Sequence, residues 1–287
     1  MRTGVASARE AVRCATETLE RAGVPEPEAS AEVLLSEMLG VGRAEIALHP
    51  LPLMEEQVAR YEAWISRRLK REPVQRILGY AYFRDLTLNL NEETLVPRPD
   101  TESAVDLALE RVDERNVPCR VLDIGTGSGA IAISIARERP FCEVHAADIS
   151  GRALEVARHN AERNGTRVSF HRADIASGLD SLEESVHLLV ANPPYVESGE
   201  IPKLVPEVRD WDPHAALDGG PDGLSYYRRI FAETPLLLRD GADAVFEVGD
   251  GQADAVLELG GDAGFTPLGS MQDLAGTPRA VLLRWEP

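Results

Sequence analysis

Cysteine is scarce: the 287-residue chain carries three, Cys14, Cys119 and Cys142. They are far apart in sequence, have no zinc-ligand spacing and are odd in number, so free thiols are expected. The six histidines, His49, His145, His159, His171, His187 and His214, are equally scattered, and no metal is expected. Long apolar runs are missing too, since none nears the roughly 20 residues that span a bilayer. No signal-peptide core follows Met1-Arg2-Thr3-Gly4, and charge returns at Arg9 and Glu10. These absences predict a cytoplasmic protein. There is no internal repeat, no low-complexity segment and no basic stripe of the kind a nucleic-acid enzyme presents.

The net charge is -18 and unevenly placed. Residues 1–90 hold 12 Lys/Arg against 13 Asp/Glu, and the remainder holds 18 against 35. Such an acidic second part repels phosphate backbones and favours a basic partner.

The chain is long enough for two domains. Its first part reads as helices: Val12, Ala15 and Leu19 share a face before Gly23 and Pro25, a second run extends from Glu26 to Gly40, and a third from Met54 ends before Pro73. Leu86, Leu88 and Leu90 alternate with polar residues, as a hairpin strand does. From Asp100 strands and helices alternate. Strands are expected over 120–124, 143–148, 167–171, 186–191, 242–248 and 279–285, and helices over 130–138, 152–164 and 224–238. This predicts an α/β fold, a parallel sheet with helices on both faces. The expected domains are a helical one over 1–75, a β-hairpin linker over 76–98 and the sheet domain over 99–287. Residues 196–223 show no periodicity and contain four prolines, and a loop this long is usually functional or disordered.

Three motifs carry chemistry. "VLDIGTGSGA" (121–130) follows a strand and opens a helix, and Gly125, Gly127 and Gly129 let a ligand approach bare backbone. Asp148, at the end of the next strand, is placed to accept both hydroxyls of a ribose. Gly125-x-Gly127-x-x-Ala130 also satisfies a dinucleotide fingerprint, so a NAD enzyme remains open on this motif. Asp123 ahead of the first glycine instead gives Asp-x-Gly-x-Gly-x-Gly, a pattern that resembles class I methyltransferases. "VANPPYV" (190–196) ends a strand at the sheet's ligand-binding edge. Asn192 there offers a side-chain carbonyl, Pro193 a backbone carbonyl held by its fixed φ, and Tyr195 a ring that can pack on a planar amide or base. Two acceptors aimed at an NH₂ group would stabilise the charge that grows on its nitrogen during methyl transfer.

With "EPVQRILG" (72–79), "FRDLTL" (83–88), "LVPRPDTE" (95–102) and "ALDGGPDGLSYYR" (216–228), the chain resembles the release factor glutamine methyltransferases over nearly its whole length. The resemblance implies a seven-stranded Rossmann-like class I methyltransferase sheet with a small all-α N-terminal domain and a β-hairpin connector. It implies S-adenosylmethionine as methyl donor, S-adenosylhomocysteine as product, and methylation of the Gly-Gly-Gln glutamine of peptide chain release factors. Gly125, Thr126, Gly127, Ser128, Gly129, Asp148, Asp174, Ile175 and Asn192 would bind the cofactor, with Ile175 where some relatives carry tryptophan. Asn192, Pro193, Pro194 and Tyr195 would hold the substrate, with Asn192, Pro193 and Tyr195 catalytic. "PRPDTE" is either a helix start, with Pro99 in the first turn and Asp100 or Thr101 as cap, or a direct neighbour of the cofactor. A monomer without direct nucleic-acid or membrane binding is expected. The rival expectations are glutamine methylation of a ribosomal protein, adenine methylation of nucleic acid, and a non-catalytic binding module.

Overall fold

Proline and glycine set the ends of the first helices. A computed structural model describes residues 7–49, 51–115, 118–273 and 275–287; the first residues of the expected helical domain, including Met1 to Gly4, lie outside these. The chain divides into two compact units, one running up to Gly79 together with Val205–Trp211, the other holding Tyr80–Leu204 and Asp212–Pro287.

In the first unit, α1 (Ala8–Arg21) is capped by the Ser7 side chain, which accepts from the Glu10 amide at 3.2 Å. Helix α2 (Pro27–Leu39) begins on proline and ends at Gly40 with φ 67°. The short α3 (Arg43–Leu48) precedes α4 (Glu55–Arg68), and α5 (Val74–Leu78) stops at Gly79. Three helices were expected here; α3 and α5 span too few turns to display a period. The core gathers Leu19, Leu34, Leu35, Tyr61 and Ile65. Tyr61 donates its hydroxyl to the Ala31 carbonyl at 2.8 Å. Segment 205–211 belongs to this unit through Glu207, whose carboxylate accepts from Arg68 at 3.0 Å and from Arg71 at 2.6 and 2.7 Å.

The second unit starts with an antiparallel hairpin, β1 (Tyr80–Phe83) and β2 (Leu86–Asn89). Then come α6 (Thr101–Arg115), β3 (Arg120–Ile124), α7 (Ala130–Glu138), β4 (Glu143–Asp148), α8 (Gly151–Arg163), β5 (Ser169–Arg172) and β6 (Val186–Ala191). A helix over Ser225–Glu233, β7 (Leu238–Glu247), a helix over Ala253–Asp262, β8 (Phe265–Gln272) and β9 (Pro278–Trp285) follow. The expected helix over 224–238 is shorter because Pro235 cannot continue it, and the residues after it extend β7 backwards. The sheet order is β5-β4-β3-β6-β7-β9-β8, and β9 runs antiparallel between β7 and β8. This is the seven-stranded α/β sheet that the resemblance implies. Buried strand residues alternate between two clusters: Val121, Leu188, Val190 and Val245 pack under α6 and α7, while Leu122, Leu189, Ala244 and Phe246 pack on the opposite face with Tyr227 and Phe231.

The fold also joins side chains that sequence distance separates. Cys119 and Cys142 stand with their sulfurs 3.3 Å apart, both as free thiols. His145 Nδ1 lies 2.9 Å from His171 Nε2 across neighbouring strands. Within residues 196–223 the backbone is largely turned rather than random, with single helical turns at Ile201–Lys203, Pro206–Arg209 and His214–Ala216. These turns are too short to leave a periodic trace. Among the described residues no helix is long and apolar enough to cross a membrane.

Candidate active site

Chain order reverses between β3 and β6, which are adjacent in the sheet. A cavity opens at the carboxyl ends of strands flanking such a switch point. Here its volume is about 220 Å³, and it is lined by the turn after β3, by Asp148 and Ile149 at the end of β4, by Asp174 and Ile175 after β5, and by Asn192, Pro193 and Pro194 after β6. The expected cofactor residues Gly125, Thr126, Gly127, Ser128, Asp148, Asp174, Ile175 and Asn192 all meet on this cavity. Gly129 and Tyr195, also expected at the site, are not among the residues that line it.

The glycine turn is built from below. Gly125, Gly127 and Gly129 have φ of 72°, 54° and 88°, a region that side chains resist. A Cβ on Gly125 or Gly127 would meet nothing within 4 Å, so both present open backbone. Gly129 is closed, because a Cβ there would sit 2.7 Å from Ile133 Cδ1. Asp123 is the strut: its Oδ2 accepts from the Thr126 hydroxyl at 2.6 Å and from the Ala132 amide at 3.2 Å. Burial pushes its carboxyl up to about 7 against the pull of these two bonds, and Asp148 adds to the rise. A carboxyl raised in the folded state contributes stability that is fully present below its unfolded value, near 4, and is lost as pH rises through about 7. Asp123→Asn should therefore gain stability relative to the wild type between pH 5 and pH 8, by roughly 2 kcal/mol or more. Urea unfolding at both pH values checks this, and a pH-independent difference would refute it.

Asp148 is positioned by backbone. Its Oδ2 accepts from the Gly127 amide at 2.8 Å and its Oδ1 from the Ser150 amide at 2.9 Å. Burial raises its carboxyl, and those amides oppose the rise. Glu93, a residue with no sequence signal, also lines the cavity and raises Asp148 further. Ile149 is 63% exposed. Ile175 is buried and takes a left-handed φ of 54°, while Asp174 pairs with Arg229 at 3.0 Å.

The Asn-Pro-Pro-Tyr corner is clamped on several sides. Asn192 donates its amide nitrogen to the Thr101 hydroxyl at 3.2 Å. That contact gives "PRPDTE" a second job beside opening α6, since Thr101 also lines the cavity. The Tyr195 carbonyl accepts from Gln252 at 2.9 Å. Its hydroxyl donates to Glu247 Oε1 at 3.3 Å, and its pKa is driven up by burial and by that carboxylate. The "ALDGGPDGL" stretch pairs with the next residue of the corner: Val196 donates to Leu217 O at 2.9 Å, and Gly219 donates to Val196 O at 2.8 Å. A Cβ on Gly219 would stand 2.8 Å from the Tyr195 Cα. Only glycine lets these backbones touch. Thr101 bears out the reading of "PRPDTE" as a neighbour of the site, whereas Glu93, Gly219, Glu247 and Gln252 carry no local chemical signal, because each acts through a contact distant in sequence.

Comparison with known proteins agrees with this geometry. A family profile described as "PrmC N-terminal domain" matches residues 10–79, and one described as "Methyltransferase small domain" matches 98–207. A release factor glutamine methyltransferase of Streptomyces coelicolor is 40% identical over 273 residues, covering 94% of this chain and 95% of its own. Those of Mycolicibacterium smegmatis and Geobacter sulfurreducens are 39% and 38% identical, covering 95% and 92% of this chain and 96% and 91% of theirs. Among solved structures, a methyltransferase from Pyrococcus furiosus matches with a TM-score of 0.50 at 16% identity, covering 82% of this chain and 100% of its own. The hMettl16 catalytic domain matches with a TM-score of 0.54 at 16% identity, covering 82% of each chain. Those two likenesses speak for the fold alone. The relatives, matched across both units of the chain, decide the rest: this protein is a methyltransferase and belongs to the release factor glutamine methyltransferase family.

Proposed function

We propose that this protein transfers a methyl group from S-adenosylmethionine to the side-chain amide nitrogen of the Gly-Gly-Gln glutamine in peptide chain release factors. The observation that carries the reading is that Asn192, Pro193 and Pro194 of the corner line the same cavity as the glycine turn and Asp148. The residues fit the cofactor. Open backbone at Gly125 and Gly127 suits a close-lying amino-acid or ribose group, Asp148 is an acceptor for ribose hydroxyls, and Ile149 and Ile175 offer apolar walls for a purine. S-adenosylmethionine supplies an electrophilic methyl group on a sulfonium.

The chain's own residues then do the work of orientation. An amide nitrogen is a poor nucleophile, because its lone pair is delocalised into the carbonyl. Asn192 Oδ1 and the Pro193 carbonyl accept its two hydrogens and turn the lone pair towards the methyl group. As positive character grows on that nitrogen, the same two acceptors stabilise it. No strong base is required beside it, since the proton leaves after transfer. Asp174, Gly129, Pro194 and Tyr195 complete the proposed set: Asp174 and Pro194 as cavity walls, Gly129 by closing the turn, Tyr195 as the corner's anchor. The first unit, near neutral in charge, docks the protein substrate, and the acidic second part attracts the basic surround that a loop entering ribosomal RNA needs.

The test is incubation with labelled S-adenosylmethionine and purified release factors, ribosomal proteins and DNA, followed by peptide mapping. Label on the Gly-Gly-Gln glutamine is expected; label on an adenine or on a ribosomal protein alone would sink the reading. Asp148→Ala should weaken cofactor affinity by about 100-fold or more, since two hydrogen bonds to a charged group are worth about 3 kcal/mol or more. Calorimetric titration measures it, and an unaltered Kd would remove Asp148 from the ribose.

A further inference from the structure

Glu247 ends β7 beside the corner and is 1% exposed. A carboxylate in such a place needs partners. Tyr195 donates to its Oε1, while Oε2 is buried with no group in full hydrogen-bonding geometry. The Thr101 hydroxyl and the Asn192 amide are the polar groups that, with Tyr195, ease its ionisation. Tyr227 binds the residue's backbone carbonyl instead, at 2.7 Å. The mechanism above gives Glu247 no task.

An ionised carboxylate only accepts. Thr101 and Asn192 both favour its charged form; a Thr101 hydroxyl hydrogen turned towards the carboxylate leaves the Thr101 oxygen free to accept from Asn192 Nδ2, the bond observed at 3.2 Å. An amide has one donor end and one acceptor end. With Nδ2 spent inward, Oδ1 must point the other way. We propose that Glu247 is a positioning residue for methyl transfer, which through Thr101 fixes the Asn192 side chain with its acceptor end towards the incoming amide NH₂. The inference rests on the acceptor role of Asn192 proposed above.

Protonation reverses the logic. A neutral carboxyl can donate to the Thr101 oxygen, which then no longer serves as the fixed acceptor of Asn192 Nδ2, and the amide is released to turn its Oδ1 away from the substrate. Burial pushes Glu247 up to about 7, opposed by Thr101, Tyr195 and Asn192. Asp100, just ahead of α6, adds to the rise, and is itself faced by Arg279 of β9 at 3.4 Å. Asp273 and Asp250 act on Arg279, and Tyr227 stays neutral. Turnover should thus fall as pH drops through about 7.

The test compares the full-length wild type with Glu247→Gln, an isosteric change whose amide can donate at any pH. Methyl transfer at saturating S-adenosylmethionine and release factor is followed from pH 6 to 8.5. The variant should lose about tenfold or more in kcat at pH 8, keep its KM for S-adenosylmethionine within about twofold, and lose the acid limb that the wild type shows near pH 7. Unchanged kcat overturns the proposal, and so does a lowered kcat that keeps the wild-type acid limb. If Glu247→Gln fails to bind cofactor, the wild-type profile decides alone, a flat kcat over this range being fatal. Should the wild type methylate a different amino group, the glutamine reading fails, and the same comparison is run on that acceptor.

Discussion

Asn192→Ala should bind S-adenosylmethionine as the wild type does and lose about a hundred- to a thousandfold in kcat, the cost of removing one preorganised partner of transition-state charge. The size follows from what is left behind. Pro193 keeps its carbonyl, so one of the target's two hydrogens is still held. The other hydrogen loses its acceptor, and the nitrogen is free to turn its lone pair away from the methyl group. Alanine also leaves the Thr101 hydroxyl without the donor it accepts from at 3.2 Å. The corner's backbone stays in place, because Gln252 and Gly219 hold Tyr195 and Val196 independently of the Asn192 side chain. Single-turnover transfer with separately measured cofactor affinity checks the claim. Turnover within threefold of the wild type would mean that the amide of the substrate is held elsewhere.

Much of this site is legible from residue order because its parts are local. A strand, a three-glycine turn and a helix are consecutive from Arg120 to Glu138, and the strand limits read from the apolar run are those observed. Asp148 follows one strand later, where a parallel sheet must bring it back beside the turn. The corner announces itself by two prolines after a buried strand. What stays silent is whatever depends on pairs distant in sequence. Thr101 and Asn192 are 91 positions apart, and Tyr195 and Glu247 are 52 apart. Glu247 in particular looks like an ordinary strand end, since nothing local states that it will be buried under a tyrosine. The same holds for Cys119 with Cys142 and for Glu207 with Arg68 and Arg71: composition and spacing treat these as unrelated residues, and only the tertiary fold pairs them.

Removing residues 1–75 should reduce methylation of intact release factor by at least about a hundredfold, roughly what losing 3 kcal/mol of docking energy would do at subsaturating substrate. Cofactor affinity should stay within a few fold, since every residue on the proposed cofactor cavity lies in the second unit. The proposed docking role would give a use to a helical segment that has a family profile of its own and holds none of the proposed cofactor or acceptor residues. A short Gly-Gly-Gln peptide, too small to reach a docking surface, separates recognition from chemistry. The truncated protein should methylate it about as poorly as the full-length protein does, because neither gains from docking. Truncation also strips Glu207 of Arg68 and Arg71, so the peptide reaction guards against damage spreading from that segment. If the truncated protein keeps its full rate on intact factor, the helical unit has no part in substrate recognition. If it loses the peptide reaction and cofactor binding together, those residues serve the stability of the second unit rather than the choice of substrate.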